Sequence, residues 1–369
     1  MAVAVLLTLV SVSFVFVSPR PVHFSPGPQS IVVSSQAAIE DPALSPDGTH
    51  VVFSDNASGS FEIWQSTLQG TQLTRLTYTQ GDSRLPAYSP DGSLISFYHT
   101  DGASKEFVVV NSFGADPRVL SEGGAADGFS AWNPSGSTVA FDETANGTSQ
   151  VVVVNTKSWG VVFRADGQSP AWSPDGRLLA FARQEGQTTA LYLTDLGANT
   201  TRVGSSEGIV LYPRFYSNSS AIVYLSCVND TWAIQSLRLR DGTVSNLLRA
   251  PVGGMLLQTL SPGVYSGSVP VVKPDGSSVI FSGRANQSLM DLYQVIPNTV
   301  VKVPAGALTV KYPGTIVNRL TSVSHEYVGT PSWSADGKSI VFPVRDSTGR
   351  YELILTMYSP PKPQSRYGS

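Results

Sequence analysis

The stretch Pro170-Ala-Trp-Ser-Pro-Asp-Gly-Arg-Leu-Leu-Ala-Phe181 decides the fold of this chain. Residues 170–172 have the alternating pattern of a β-strand, whose neighbouring side chains point to opposite faces. Ser173 to Gly176 then predict a tight turn, because proline fixes φ, aspartate bonds back to nearby amides and glycine takes the left-handed conformation. Residues 178–181 are the returning strand. The stretch therefore predicts a β-hairpin that ends on an aromatic ring.

The same hairpin recurs seven times along the 369 residues. The spacing between copies runs from 40 residues (130 to 170) to 61 residues (270 to 331). A period near 40 built from short strands is typical of β-propeller blades. The copies open at Pro42, Pro86, Ser130, Pro170, Pro213, Pro270 and Pro331, and eleven places further on stand Phe53, Phe97, Phe141, Phe181, Tyr224, Phe281 and Phe342.

Two further strand-like runs follow most copies, which gives four antiparallel strands per unit. The last unit ends soon after Leu355, because the proline-rich tail that follows cannot form a central strand. The run Ser30–Ser35 precedes the first unit and has no partner of its own. We therefore predict an all-β, seven-bladed propeller over residues 29–357, with its last blade closed by the N-terminal strand so that no long edge is exposed.

The first 17 residues are apolar except for one threonine and two serines, and Ser18-Pro-Arg-Pro21 ends the run. This pattern predicts a signal peptide or an uncleaved apolar anchor over residues 1–20. A truncated or mis-started chain is the remaining interpretation, since no Lys or Arg precedes the run. Residues 358–369 are predicted to be a disordered tail.

Six Asn-x-Ser/Thr sequences support export to the cell surface or the medium, or to the cell wall in a plant-like source. Each is a candidate N-glycosylation site. They are Asn56, Asn146, Asn199, Asn218, Asn229 and Asn286.

Charge and cysteine content exclude several classes of partner. Charged residues make up 14% of the chain and the formal net charge is −3, so no basic excess is available for nucleic acid or an acidic membrane surface. A membrane contact is expected only through an uncleaved N-terminal segment. The single cysteine, Cys227, lies in a strand-like run and excludes an intrachain disulfide or a Cys-rich metal cluster. No cofactor or metal is expected.

The phrase Pro-x-Trp-Ser-Pro-Asp-Gly-x-x-Leu-Ala-Phe is fullest at 170–181 and nearly complete at 86–97 and 331–342. It resembles the TolB-like repeat, which also occurs in the propeller of dipeptidyl-peptidase-IV-type proteins. Secreted plant proteins of the dipeptidyl-peptidase N-terminal-like kind are similar. The resemblance spans about residues 30–357 and implies the propeller fold. TolB itself has six blades and an extra domain, so the seven copies here depart from it.

Two kinds of enzyme have motifs or folds that this sequence partly shares. Gly204-Ser-Ser-Glu-Gly208 fits the serine hydrolase pattern G-x-S-x-G, but it lies in a link between units without a strand-to-helix elbow. Oligogalacturonate lyases use TolB-like repeats with a histidine-based metal site, which makes them the nearest enzymatic alternative. The histidines here, His23, His50, His99 and His325, show no metal-ligand spacing, and only His325 lies where a ligand at the channel mouth would be.

The links from the fourth strand of one blade to the first strand of the next crowd one mouth of the central channel. Mixed charge with tyrosines there is a plausible recognition surface. We therefore predict an exported module that binds a protein or a carbohydrate; the alternatives are a polysaccharide lyase or hydrolase-type enzyme with its site at the same mouth, or the propeller portion of a longer protein. The candidate residues are Asp41, Asp82, Arg84, Asp127, Asp166, Tyr212, Arg214, His325, Glu326 and Tyr327.

Overall fold

The computed structural model describes residues 22–23, 28–102, 104–121, 128, 130–145, 147–197, 199–204, 208–229, 231–249, 270–284, 290–296, 316–321 and 325–358. Every secondary-structure element in these ranges is a β-strand. No helix in them is long and apolar enough to cross a bilayer. The predicted signal peptide or anchor over 1–20 lies outside the described residues, as do residues 359–369 of the predicted tail. The same holds for Asp127, Asn146 and Asn286.

Seven antiparallel sheets follow one another along the chain, and each is one blade with an inner, a second, a third and an outer strand. The strands of blades 1 to 4 are Ile39–Leu44, His50–Asp55, Glu62–Thr67 and Leu73–Arg75; Asp82–Tyr88, Leu94–Asp101, Ser104–Asn111 and Arg118–Val119; Ala131–Trp132, Thr138–Ala145, Thr148–Asn155 and Val161–Asp166; Gln168–Trp172, Leu179–Glu185, Thr188–Thr194 and Thr200–Val203. Those of blades 5 to 7 are Ile209–Phe215, Ala221–Val228, Thr231–Arg238 and Val244–Arg249; Val271–Val272, Val279–Arg284, Met290–Ile296 and Ile316–Arg319; Tyr327–Val328 with Ser332–Trp333, Ser339–Arg345, Tyr351–Met357 and Gln29–Ser35.

The last blade takes its outer strand from the start of the chain, as the sequence predicts. Gln29–Ser35 runs antiparallel to Tyr351–Met357, with Gln29 opposite Thr356 and Ser35 opposite Tyr351. Val33 is buried in the core between blades 7 and 1. The prediction of a seven-bladed propeller closed by its N-terminal strand is confirmed.

Packing extends beyond both ends of the predicted propeller. Val22–His23 adds a fifth strand to blade 6, parallel to its outer strand, and the repeat gives no indication of it. At the other end, the Tyr358 amide donates a hydrogen bond to the Lys338 carbonyl at 2.6 Å. The Tyr358 ring packs edge-on against Trp333, with 5.1 Å between the ring centroids.

The apolar core is divided into seven clusters, one in each gap between neighbouring blades. The aromatic residue that ends the repeat contributes one ring to every cluster, and none of these rings is more than 4% exposed. Burial of such a ring contributes roughly 1.5–3 kcal/mol. The repeated ring is therefore the residue that holds one blade to the next.

The repeated Ser-Pro-Asp-Gly turn is held by its own side chains. In blade 4 the Ser173 hydroxyl donates to Asp175 Oδ1 at 2.6 Å, and the Leu178 amide donates to Ser173 Oγ at 2.9 Å. The hydrogen bond from Ser173, followed by that from the Arg177 amide, keeps the pKa of Asp175 below its ordinary value. These aspartates therefore close turns, as residues of their type commonly do.

The strand order gives the ring two distinct faces. The tight turns and the hairpins between third and outer strands lie on one face, which we call the turn face. Among the described residues, the hairpins between second and third strands, and the links from an outer strand to the next inner strand, lie on the opposite face, which we call the mouth face. The described candidate residues of the predicted binding surface lie in or beside a link of the mouth face, except Arg214, which stands near the other end of the inner strand Ile209–Phe215.

Candidate functional site

The inner strands enter the channel through a β-bulge that the sequence did not predict. In blades 1, 2, 4 and 5 the pairing with the second strand shifts at the residue before the repeat's opening proline. That residue has a positive φ in each case: Asp41 (52°), Leu85 (57°), Ser169 (58°) and Tyr212 (53°). Such backbone is uncommon outside glycine, and bulges of this kind re-aim side chains. The bulges thus shape the channel wall beside the opening prolines of the repeats.

A cavity of about 160 Å³ lies in this part of the channel, beside the opening prolines. Inner-strand residues from several blades line it, among them Asp41 of blade 1, Leu85 of blade 2, Arg214 of blade 5 and Ser332 of blade 7. The wall is otherwise formed by small apolar, proline and hydroxyl side chains. An acidic and a basic residue therefore line the same partly open cavity.

A charged cluster at the mouth joins blades 1, 2 and 7. We call Glu40, Asp41, Asp82, Arg84 and Tyr327 the mouth cluster. Arg84 Nη1 lies 2.5 Å from Glu40 Oε2, and Arg84 Nε lies 3.8 Å from Asp82 Oδ2. The Arg84 guanidinium carbon is also 3.5 Å from the centroid of the Phe61 ring. One arginine thus links two carboxylates from different blades while stacking on an aromatic ring.

Asp41 is the titratable member of the cluster near neutral pH. Burial raises its pKa to about 7, the nearby Glu40 carboxylate acts in the same direction, and the Arg84 guanidinium opposes both. The carboxyl therefore changes its charge within the physiological range. Its backbone also has a left-handed φ, a conformation that costs about 1–3 kcal/mol and that clusters at functional sites.

Tyr327 closes the cluster from blade 7 rather than projecting into solvent. Burial raises the pKa of its phenol, and the carboxylates of Glu40 and Asp41 raise it further. Its ring meets that of Tyr351 edge-on, with the centroids 6.2 Å apart. Because Tyr327 is packed, its removal is expected to affect stability as well as any binding.

On the blade 5 side of the cavity, Tyr212 and Arg214 point in different directions. Tyr212 is buried in the core between blades 5 and 6 and is not a surface residue. Arg214 lines the cavity, and its Nη1 donates to the Pro213 carbonyl at 2.8 Å. Burial lowers the pKa of Arg214 to about 10, which still leaves the guanidinium charged at neutral pH.

The remaining described candidates do not join the mouth cluster. The backbone of His325 pairs with Met290 of blade 6, and burial, reinforced by Arg319, lowers the pKa of the His325 ring. Glu326 is exposed, 3.8 Å from Arg345 Nη1. Asp166 is exposed at the end of blade 3, with its Oδ2 3.9 Å from Arg183 Nη2.

Within the ranges that the structure describes, no three His, Cys, Asp or Glu side chains come together as metal ligands would. In particular, His325 and Glu326 point to different partners. His99 lies in blade 2, with its Nδ1 3.2 Å from the buried Ser83 hydroxyl. The convergence of imidazoles that a histidine-based metal site needs is not observed among these side chains.

Four of the predicted glycosylation sites are described, and they differ in access. Asn199 and Asn218 are exposed on the turn face, and Asn229 is exposed in a hairpin of the mouth face. Asn56 is only half-buried, and its Oδ1 accepts a hydrogen bond from the Ala38 amide at 2.7 Å. A glycan is therefore accommodated more easily at the first three positions.

Sequence reasoning missed Glu40, Phe61 and Tyr351. Glu40 could have been found, since it directly precedes Asp41 in the same link. Phe61 and Tyr351 lie at the starts of third strands and give no signal of their own. They reach the site because Arg84 and Tyr327 come to them from other parts of the ring.

Residues 27–164, which include the first two blades and all but the last two residues of the third, match the family model described as the TolB beta propeller domain, PD40. No curated protein sequence matches the chain. The closed ring of blades defines the fold as a seven-bladed β-propeller, and the match shows that its first blades are similar to the TolB propeller domain.

Several solved structures share the fold. Oligogalacturonate lyase from Vibrio parahaemolyticus is 14% identical, with a TM-score of 0.62, over 90% of this chain and 94% of that one. An oligogalacturonate lyase in complex with manganese is 16% identical, with a TM-score of 0.58, over 91% and 99%. The propeller domain of the Trilobed protease from Pyrococcus furiosus, described as having an open velcro topology, is 14% identical, with a TM-score of 0.60, over 88% and 94%. At these identities the likeness concerns the fold alone.

Proposed function

We propose that this protein is an exported binding module that takes a protein or glycan ligand through its mouth face. The mouth cluster carries the proposal: Arg84 is fixed by Glu40, Asp82 and the Phe61 ring at the opening of a cavity. Mixed charge beside aromatic rings is the chemistry of recognition surfaces. Because the ion pairs hold the side chains in place, a ligand would pay little to order them.

The binding proposal is tested with the full-length protein and a matched pair of charge reversals. Asp82 accepts a hydrogen bond from the Phe61 amide at 2.9 Å on the mouth face, and Asp195 accepts one from the Gly197 amide at 2.8 Å on the turn face. Asp82→Lys and Asp195→Lys therefore each lose one backbone hydrogen bond, and only Asp82→Lys also loses the ion pair with Arg84 in the mouth cluster. The immobilised protein is probed with an array of neutral and uronic-acid oligosaccharides and with fractionated extracellular proteins.

We expect Asp82→Lys to lose at least about tenfold in affinity for the captured ligand, a change of about 1.4 kcal/mol, while Asp195→Lys binds as the wild type does. Thermal unfolding of both variants separates a binding effect from a folding effect. The proposal fails if the wild type captures nothing, or if both variants bind equally.

Export and glycosylation have a separate test. In a eukaryotic secretory host we expect the protein in the medium, with a mass that falls on N-glycosidase treatment. Asn199→Gln and Asn218→Gln should each remove one glycan, because both side chains are exposed. Retention of the unmodified chain inside the cell would contradict this part of the proposal.

The lyase alternative makes a distinct prediction, prompted by two of the neighbours that share the fold. Full-length protein incubated with oligogalacturonate and Mn²⁺ would release an unsaturated product, detected by its ultraviolet absorbance, and His325→Ala would abolish the release. We expect no turnover, since the His325 backbone pairs with Met290 of blade 6 and, among the described residues, His325 is not part of a group of metal-ligating side chains. Observed turnover would replace the binding proposal.

The relationship of this chain to one particular group of propellers is also a proposal. From the phrase at 170–181 we infer that the chain is nearest to the dipeptidyl-peptidase-IV N-terminal-like propellers, including the secreted plant proteins of that kind. If the chain is the propeller portion of a longer protein, we propose that it binds the ligand on behalf of the other domains of that protein.

A further inference from the structure

One exposed aromatic residue of the mouth face is held in a fixed position by its surroundings. Tyr78 lies in the link between the outer strand of blade 1 and the inner strand of blade 2, and it is 77% exposed. The Arg75 guanidinium carbon lies over its ring, 4.6 Å from the ring centroid. This cation–π contact covers one face of the ring. Because the residue is so exposed, the opposite face of the ring is open to solvent.

The residues on either side of Tyr78 are both bound to one buried carboxylate. Glu62 is fully buried, and it accepts hydrogen bonds from the Thr77 hydroxyl, from the Thr79 amide at 2.9 Å and from the Thr79 hydroxyl at 3.2 Å. The same carboxylate holds the Arg75 guanidinium at 2.7 Å. The backbone on both sides of the tyrosine and the cation against its ring therefore share one anchor.

The rest of the link is fixed against blade 2. Gly81 has a φ of 104°, and a Cβ at this position would clash with the Thr100 carbonyl oxygen, so the link lies directly on the hairpin between the second and third strands. The Thr79 hydroxyl also lies 3.2 Å from the Ser83 hydroxyl. A ligand would thus meet a ring whose position is already set, and binding would cost little side-chain entropy.

The hydrogen-bonded network does not itself require a tyrosine. Blade 6 has the same buried pair, Arg319 with Asp291, and the same threonine two places after the arginine. The residue after that threonine is Ser322, where blade 1 has Tyr78. Retention of the outer strand in its blade therefore does not explain the exposed ring.

The surface around the ring favours a carbohydrate over a protein. A protein interface has an apolar core built from several side chains. Among the described residues with an exposed large apolar side chain, only Tyr78 stands within a link of the mouth face; the others stand in strands or, for Phe113, in a hairpin of the turn face. One ring face suffices for a sugar, because the CH groups of a pyranose carry partial positive charge and the face of an aromatic ring is negative.

The charges near the ring favour a neutral sugar. Asp82 is half-exposed four places further along the same link, and Asp101 is exposed in the hairpin on which the link lies. Arg84, the cation of the mouth cluster, is already paired with Glu40 and Asp82. A uronic acid would therefore meet carboxylates here, whereas the hydroxyls of a neutral sugar donate hydrogen bonds to them.

We propose that Tyr78 is the stacking platform for one sugar ring of a neutral oligosaccharide, whose hydroxyls donate to the exposed carboxylates of Asp82 and Asp101. The CH face of the sugar lies on the open side of the tyrosine ring. The inference rests on the proposed binding function, and it names the ligand class that the mouth face takes.

The experiment measures the binding of four oligosaccharides to the full-length protein by calorimetry. Cellohexaose, xylohexaose and mannohexaose are neutral, and hexagalacturonate is anionic. We expect at least one neutral probe to bind at least about tenfold more tightly than hexagalacturonate. In proton NMR, saturation of the aromatic signals of the protein should be transferred to the CH protons on one face of the bound sugar.

Three variants test whether Tyr78 makes this contact. Tyr78→Ala should weaken binding of the neutral probe about tenfold or more and abolish the saturation transfer, whereas Tyr78→Phe, which keeps the ring face, should bind within about threefold of the wild type. Phe113→Ala removes an aromatic ring that is 85% exposed on the turn face, and it should bind as the wild type does. Thermal unfolding checks that each variant is folded. Should Tyr78→Ala melt early, Tyr78→Phe and the saturation transfer in the wild type still decide the question.

The inference is overturned if Tyr78→Ala binds the neutral probe as tightly as the wild type does, or if hexagalacturonate is the only sugar bound. Capture of a protein and of none of the four sugars would overturn it too. The broader binding proposal survives these outcomes when Asp82→Lys loses capture. If the wild type captures neither a sugar nor a protein, both proposals fail.

Discussion

In blade 1 the Arg75 guanidinium lies 2.7 Å from the carboxylate of Glu62, which is fully buried. The pair joins the outer strand to the start of the third strand. Blade 6 repeats it, with Arg319 Nη2 2.8 Å from Asp291 Oδ1. In both blades a threonine two places after the arginine donates its hydroxyl to the same carboxylate. These outer strands are short and form few backbone hydrogen bonds, so the ion pairs help to hold them in their blades.

Replacement of Arg75 by Met should be strongly destabilising, because it leaves the Glu62 carboxylate buried without its counter-charge. We expect a loss of about 3 kcal/mol in urea unfolding, and recovery of most of it in the Glu62→Gln/Arg75→Met double variant. The control is Arg202→Met, which breaks the exposed pair with Glu185 and should cost less than about 1 kcal/mol. Equal losses in the two single variants would show that burial of the pair is not the cause.

The closing strand offers a matched comparison between two of its own residues. Val33 is 8% exposed and Ile31 is 55% exposed. We expect Val33→Asn to lower the free energy of unfolding by about 2–3 kcal/mol, since it places an amide in the core between blades 7 and 1, and Ile31→Asn to change it by less than about 0.5 kcal/mol. Calorimetry measures both. Similar melting of the two variants would contradict the role of this strand in closure.

Two turn glycines allow the cost of a positive φ to be measured separately from the cost of a steric contact. Gly48 and Gly176 have nearly the same φ, 69° and 70°, but a Cβ at Gly48 would meet nothing within 4 Å, whereas one at Gly176 would lie 2.9 Å from Asn133 Oδ1. Asn133 Nδ2 also donates to the Gly176 carbonyl at 3.0 Å. Gly48→Ala should therefore cost about 1–2 kcal/mol.

Gly176→Ala should cost more than Gly48→Ala, because the turn of blade 4 must also move away from that of blade 3. The difference in thermal unfolding between the two variants measures this contact. In an Asn133→Ala background the two glycine variants should become equal, and a persistent difference would rule the contact out.

The pH dependence of stability should report on Asp41. The unfolded carboxyl releases its proton near its ordinary value of 3.8, whereas the folded one holds it up to about pH 7. The folded state therefore binds more protons between these values, and the contribution of Asp41 to stability falls as the pH rises from 4 to 7. Burial raises this pKa most, the Glu40 carboxylate raises it further, and the Arg84 guanidinium and a hydrogen bond from the Leu85 amide lower it.

The variant Asp41→Asn lacks this titration and keeps a neutral side chain of the same shape. Its advantage over the wild type in thermal unfolding should grow from pH 4 to pH 7, reach about 4 kcal/mol (about 1.4 kcal/mol for each of roughly three pKa units) and stay constant above that. Parallel pH profiles for the two proteins would show that the Asp41 carboxyl is not perturbed.

The blades could be predicted because their signal is local. Phe181 follows its turn by a fixed number of residues, and that spacing alone brings the ring into the gap between blades. Closure could be predicted from Ser30–Ser35, a strand-like run without a partner. Val22–His23 could not, since two residues show no period and their partner strand follows a long interruption of the repeat.

The candidate site was predicted only in part, for the opposite physical reason. Glu40 and Arg84 stand at the same position of neighbouring repeats, but nothing in the repeat indicates that their side chains pair. Tyr327 is far from both in sequence and reaches them only because the ring closes. Tyr212 looked like a surface residue because it stands in a link, but the bulge turns it into the core between blades 5 and 6. A residue's place in a link predicts its position along the channel, whereas its backbone conformation decides which way its side chain points.

The pairing of Gln29–Ser35 with Tyr351–Met357 brings the chain into the ring and out of it at adjacent points, with Gln29 opposite Thr356. A tether pulling on the two ends would first peel Val22–His23 from blade 6 and then load this ladder one rung at a time from Gln29, instead of shearing all rungs together. The weakest mechanical point of the ring is therefore its seam, and we expect modest tension to open blade 7 while the other six remain folded.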